Sequence, residues 1–95
     1  MKHIEEALAL ARRLAKSPDD EPAAIFFAFI SVRVAFPGAL LAVTWQLSVN
    51  CAHAHGKRIG AARKEAVGMV GAMGRAEMDW TDVSRWFRAR LVAIS

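Results

Sequence analysis

The segment Cys51-Ala52-His53-Ala54-His55 holds the side chains of this 95-residue chain most able to do metal or thiol chemistry together. On a helix, Cys51 and His55 stand four residues apart on one face and His53 points away, so only two ligands converge. On a strand all three would share a face. A structural zinc site needs four protein ligands and a catalytic one needs three. No Asp or Glu lies nearby in sequence to complete the set, so no metal and no cofactor is expected. The same i, i+4 spacing could be drawn as a thiolate–imidazole dyad, but nothing in the sequence orients the imidazole or supplies an oxyanion donor. A lone cysteine is usually a small inert hydrophobe. The expectation is a chain that is not an enzyme.

A second chemistry is carried by charge. Residues 1–50 hold five basic and five acidic residues, whereas residues 51–95 hold eight basic and four acidic ones, so the whole net charge of +4 lies in the second half. That asymmetry suits an anionic partner. Leu41-Ala42-Val43-Thr44-Trp45-Gln46-Leu47-Ser48 resembles the first helix and turn of a helix-turn-helix, with a small residue at Ala42. A recognition helix from Asn50 to Lys57 would then offer Asn50, His53, His55 and Lys57 to a major groove, with the basic run Lys57, Arg58, Arg63 and Lys64 able to serve phosphates. Two positions depart from the pattern: Gln46 replaces the usual turn glycine, and His55 falls where an apolar anchor belongs.

A third chemistry is that of protein interfaces. Trp86 lies about 100° around the last helix from its apolar stripe. Arg90 follows one turn on, within cation–π reach, and Arg85 and Arg88 lie on another flank. Trp and Arg at the edge of an apolar face is the composition of interface hot spots.

These residues must be positioned by elements that the hydropathy pattern outlines. Ile4, Leu8, Ala11 and Ala15 mark an amphipathic helix over 3–16, acidic at its start and basic at its end. The connector from Ser17 to Pro22 follows, with Asp20 expected as the N-cap of the next helix and Pro22 in its first turn. From Ala23 to Asn50 there is one charge, Arg33, and one break, Pro37-Gly38. Ala23 to Phe36 is apolar nearly all round, the profile of a central helix, and should stop before Pro37. From Val43 to Cys51 apolar and polar residues alternate strictly, a strand signal, so a β-hairpin near 31–51 is the alternative. L-Pro-Gly favours a type II turn, which splays hairpin strands, and Ala39–Ala42 prefers helix, so helix is expected. Lys57 to Ala76 reads as one helix with a seam of Ile59, Ala62, Ala66, Met69, Met73 and Ala76. Asp79 caps a final helix with Asp82 at its third position, and Trp80, Val83, Phe87, Leu91 and Ile94 form its buried stripe.

The fold expected is all-α, a single helical domain over 1–95 in the form of a small bundle of four or five helices. At 55% hydrophobic residues the chain is apolar for its size, so part of that surface should face a partner or a second copy, and a homo-oligomer is expected. The two longest apolar runs fall short of the roughly twenty residues of a membrane span, so a membrane partner is not expected. A single cysteine and acidic Glu5 and Glu6 near the N-terminus point to a cytoplasmic protein. An Ala-, Arg-, Gly- and Val-rich composition without Tyr suggests a bacterium of high GC content, or its phage or mobile elements. The function expected is a non-enzymatic protein-interaction module, an adaptor or inhibitor that occludes a larger bacterial host protein. A small DNA-binding regulator acting through residues 41–58 is the alternative.

Overall fold

The computed structural model describes residues 2–32 and 40–94, with side chains from Ile4 onward. Five α-helices and a two-stranded antiparallel ribbon account for most of them: α1 Lys2–Leu14, α2 Glu21–Val32, α3 Leu40–Ala54, β1 Lys57–Ile59, α4 Arg63–Gly74, α5 Trp80–Arg88 and β2 Leu91–Ala93. A single 3-10 turn, Pro18–Asp20, runs directly into α2. The domain is mostly α, as its hydropathy pattern predicts.

The α2 helix is the central element because it is apolar on every side. One face presents Ala24, Ala28 and Phe29 to Ala7 and Ala11 of α1. Alanines spaced four apart on both helices let the backbones approach closely. The other face presents Ala23 and Phe26 to a second cluster built from Trp45 of α3, Ala66 and Met69 of α4, and Val83 and Phe87 of α5. Trp80 packs against both clusters and joins them. The α1, α2 and α3 helices leave a shallow apolar groove lined by Ile4, Leu8, Ile25, Phe29, Val43 and Leu47.

Despite its alternating residues, the 43–51 segment is helical throughout, inside α3. Two of its polar residues bond within α3 and a third bonds across to α2. Ser48 Oγ donates to the buried Pro22 carbonyl at 3.0 Å, and Gln46 Nε2 donates to Asn50 Oδ1 at 2.9 Å. Thr44 is fully buried and its Oγ1 finds no hydrogen-bond partner among the described residues. A buried hydroxyl without a partner costs about 1–3 kcal/mol in lost hydration. Thr44→Val, nearly isosteric and equal in helix propensity, is therefore expected to raise stability by about 1 kcal/mol, read as a higher urea midpoint.

Three sequence expectations are corrected. Asp20 does not cap α2: it sits in the 3-10 turn with its side chain buried and turned inward. The helix expected from Lys57 to Ala76 is shorter, since Lys57–Ile59 forms β1 and the helix starts only at Arg63. The helix expected to carry Leu91 and Ile94 ends at Arg88, and Leu91–Ala93 pairs with β1 in the register Lys57↔Ala93, Arg58↔Val92, Ile59↔Leu91. Gly56, whose φ of +72° takes the chain out of α3 in a left-handed turn that L side chains disfavour, leads directly into β1. Gly56 O then accepts from Ile94 N–H at 2.9 Å, and Gly60 N–H donates to Arg90 O at 2.7 Å, closing the ribbon at both ends. The stop expected before Pro37 lies outside the described residues.

Asp79 caps α5 as its sequence predicts. Its Oδ1 accepts from Asp82 N–H and Asp82 Oδ2 accepts from Asp79 N–H, both at 3.1 Å. Asp79→Ala removes one side of this reciprocal box and is expected to cost about 1 kcal/mol, a fall of roughly 4–8 °C in Tm for a domain of this size.

Candidate functional site

Two constellations stand out, one on α5 and one between α2 and α3. The first begins with the capping box, which fixes the start of α5 and so the angular position of every residue after it. Val83 and Phe87 then point into the core. Trp86, one step round the helix, is half-buried at the boundary. Its ring is held edge-on by Phe87 at 5.1 Å and Trp45 at 6.3 Å between centroids. Arg90 lies past the helix end, its guanidinium 4.1 Å from the Trp86 ring centroid and its Nη1 donating to Trp86 O at 3.1 Å. Trp86 and Arg90 line a shallow depression with Met78, Ala89 and Arg85. Glu77 and Asp82 contribute its acidic edge. Neither Arg85 nor Arg90 has a carboxylate partner among the described residues, whereas Arg88, the fourth member of the expected docking set, is committed internally. Its Nε and Nη2 both donate to Asp20 Oδ1, at 3.0 and 2.7 Å, across 68 residues of chain.

The residues expected to read nucleic acid are not gathered by a helix-turn-helix. The α3 helix runs unbroken through Gln46, where the turn would fall, because Leu41 to Ser48 contains no glycine or proline and Gln46 bonds within the helix. Asn50 and His53 are exposed on α3, Lys57 and Arg58 lie in β1, and Arg63 and Lys64 begin α4. Lys57 pairs with Asp19 at 3.6 Å, an exposed contact of little energetic weight.

The second constellation was only half visible in the sequence. Cys51 and His55 share a face at the end of α3, and His53 is turned away from them to solvent. Glu21, the first residue of α2, comes in from 30 residues away and completes the cluster. His55 Nε2 donates to Glu21 Oε2 at 2.5 Å, and Cys51 Sγ donates to the same oxygen at 3.8 Å. The sulfur, imidazole nitrogen and carboxylate oxygen all lie within 4.8 Å of one another. The acid that the neighbouring sequence lacks is thus supplied by the fold from 30 residues away. Glu21 carried no sign of this role, since an acid at a helix start is already accounted for by the helix dipole.

The arrangement does not activate the thiol. Burial, and after it the Glu21 carboxylate, push the Cys51 thiol from its ordinary 9.0 up to about 11. His55 is bonded to Glu21, so the thiol faces an anion and no base draws off its proton. At pH 8 the thiolate fraction is about a hundredfold below that of an unperturbed thiol, the ratio set by 9.0 against about 11. Alkylation of Cys51 by iodoacetamide is therefore expected to be slow at pH 8. Its rate should rise about tenfold per pH unit up to about pH 11 and quicken in Glu21→Gln, which loses the carboxylate charge. A rate matching a free thiol peptide would contradict this placement.

No helix among the described residues is long and apolar enough to cross a membrane. Comparison of the chain with protein-family models, with curated proteins and with solved structures finds no match.

Proposed function

We propose that this chain is a non-enzymatic protein-interaction module, an adaptor or inhibitor that docks the Trp86–Arg90 edge of α5 on an acidic, partly apolar segment of a larger bacterial protein and occludes it. The observation that carries this reading is the preorganised Trp86, held edge-on by Phe87 and Trp45 with the Arg90 guanidinium over its ring. A rigid aromatic beside an arginine costs little conformational entropy to bury, which is why such residues dominate interface energetics. The unpaired charges of Arg85 and Arg90 supply the complementarity for an acidic partner.

The test is affinity capture from bacterial lysate by the tagged chain, with and without nuclease, using wild type and the variants Trp86→Ala, Arg85→Glu and Arg90→Glu. A stoichiometric protein should survive nuclease and be lost from the variants, with affinity falling about thirtyfold or more for Trp86→Ala, the effect of a hot spot of about 2 kcal/mol. Circular dichroism shows that each variant is folded, and the exposed Arg85→Glu carries the test should Trp86→Ala unfold. Capture unchanged in all three variants refutes the docking edge. Recovery that collapses with nuclease and with rising salt instead moves the reading to nucleic acid through Arg58, Arg63 and Lys64.

A further inference from the structure

From the convergence of Glu21, Cys51 and His55 we propose that this chain binds one zinc ion at the α2–α3 junction, with the Glu21 carboxylate, the Cys51 thiolate and His55 Nε2 as its three protein ligands. The proposal is independent of the docking edge, whose residues lie on α5 and just past its end.

The donor set selects the ion. One thiolate, one imidazole and one carboxylate are a mixed sulfur, nitrogen and oxygen set, which magnesium and calcium do not take and which zinc does. In a tetrahedral zinc site with bonds of about 2.0–2.3 Å, neighbouring donor atoms stand about 3.3–3.6 Å apart. Here the carboxylate oxygen is 3.8 Å from the sulfur and 2.5 Å from the imidazole nitrogen, and all three atoms lie within 4.8 Å. Adjustments of about 1 Å bring them to zinc-binding distances, within reach of rotation about the side-chain torsions of the half-exposed Glu21.

The backbone supporting the ligands is already fixed. Cys51 and His55 are one helical turn apart at the end of α3. The buried bond from Ser48 Oγ to Pro22 O locks α3 to α2 one residue from Glu21 and one turn from Cys51. Gly56 then turns the chain away immediately after His55. Ligands held by helices joined through a buried hydrogen bond meet the geometric demand of a metal site better than ligands on free loops. Coordination breaks the Sγ–H bond and forms a Zn–S bond, the proton leaving to solvent. The proton that His55 shares with Glu21 leaves Nε2 for solvent or for Nδ1, so the ring binds as the neutral ligand. With His55 exposed, the fourth tetrahedral position opens to water or to a donor from a bound partner.

The untagged full chain, stripped with chelator, is titrated with zinc in competition with a chromogenic chelator, and separately with cobalt as a spectroscopic probe. One equivalent of zinc should bind. The cobalt form should show tetrahedral visible bands and a near-ultraviolet thiolate charge-transfer band. Cys51→Ser should abolish that charge-transfer band. Cys51→Ser, His55→Gln and Glu21→Gln should each weaken zinc binding by about a hundredfold or more, since loss of even an outer-shell partner costs about 10–100-fold. His53→Gln should change nothing. Absence of the charge-transfer band in the wild type overturns the proposal. So does a zinc affinity unchanged in Cys51→Ser, or a loss in His53→Gln equal to that in His55→Gln, which would mark ordinary surface-histidine binding.

Discussion

Phe87→Ala is expected to remove about 3–5 kcal/mol of stability, the usual cost of truncating a fully buried phenylalanine. Phe87 has no exposed surface, and its ring lies 5.5 Å from Phe26 of α2, 6.1 Å from Trp45 of α3 and 5.1 Å from Trp86 on its own helix. It therefore ties three helices through one side chain. A domain of this length has about 5–14 kcal/mol of total stability, so the loss is between about a fifth and all of it. Urea unfolding followed by tryptophan fluorescence reads the result, because Trp45 and Trp86 report on the same cluster. Phe87→Leu, which leaves a smaller void, should cost markedly less. A loss below about 1 kcal/mol for Phe87→Ala would mean that α5 is not anchored on α2 and α3.

The second large effect is an asymmetry. Arg88 and Asp20 form one ion pair, but the side chain of Asp20 is 3% exposed and that of Arg88 is 61% exposed. Removing the arginine strands a carboxylate in the interior, where its remaining hydrogen bond among the described residues is from the Lys16 N–H at 3.4 Å. Removing the aspartate returns the arginine to water. Arg88→Ala is accordingly expected to cost about 3 kcal/mol, at the low end for breaking a buried pair because one partner is partly solvated, and Asp20→Ala distinctly less. Combining the two should recover part of the Arg88→Ala loss, which a double-mutant cycle in urea measures directly. Equal costs for the single variants would show that Asp20 is hydrated and the pair is a surface one. The result bears on function as well, since Arg88 shares a flank of α5 with Arg85. Of these two, Arg85 can meet a partner without breaking the pair that Arg88 makes with Asp20.

Much of the architecture is written locally. The apolar periodicity of residues 4–15 places α1 against α2 through Ile4, Ala7, Ala11 and Leu14, although Leu8, expected in the same stripe, is exposed, and the unbroken apolar profile after Ala23 makes α2 the central helix. The Asp79–Asp82 box starts α5 where its sequence predicts, because a cap involves only residues three apart. The alternation over 43–51 was a false strand signal. Its polar members Gln46 and Ser48 find partners within α3 and on α2, so the period of two reflects burial and side-chain bonding in a helix.

What the sequence alone determined is the helical class, most helix positions, the boundary placement of Trp86 and the i, i+4 facing of Cys51 and His55, all consequences of short-range periodicity and capping. What only the tertiary structure decided is each contact between distant segments: Glu21 reaching His55 across 34 residues, Asp20 accepting Arg88 across 68, and β1 pairing with β2. Three-residue strands are too short to show a period, and Gly56 leads the chain directly into the first of them. A carboxylate at a helix start looks the same in sequence whether it serves the dipole, an arginine or a cysteine–histidine pair. Its partner is fixed by how α2 packs against α3 and α5, and that packing depends on the whole core.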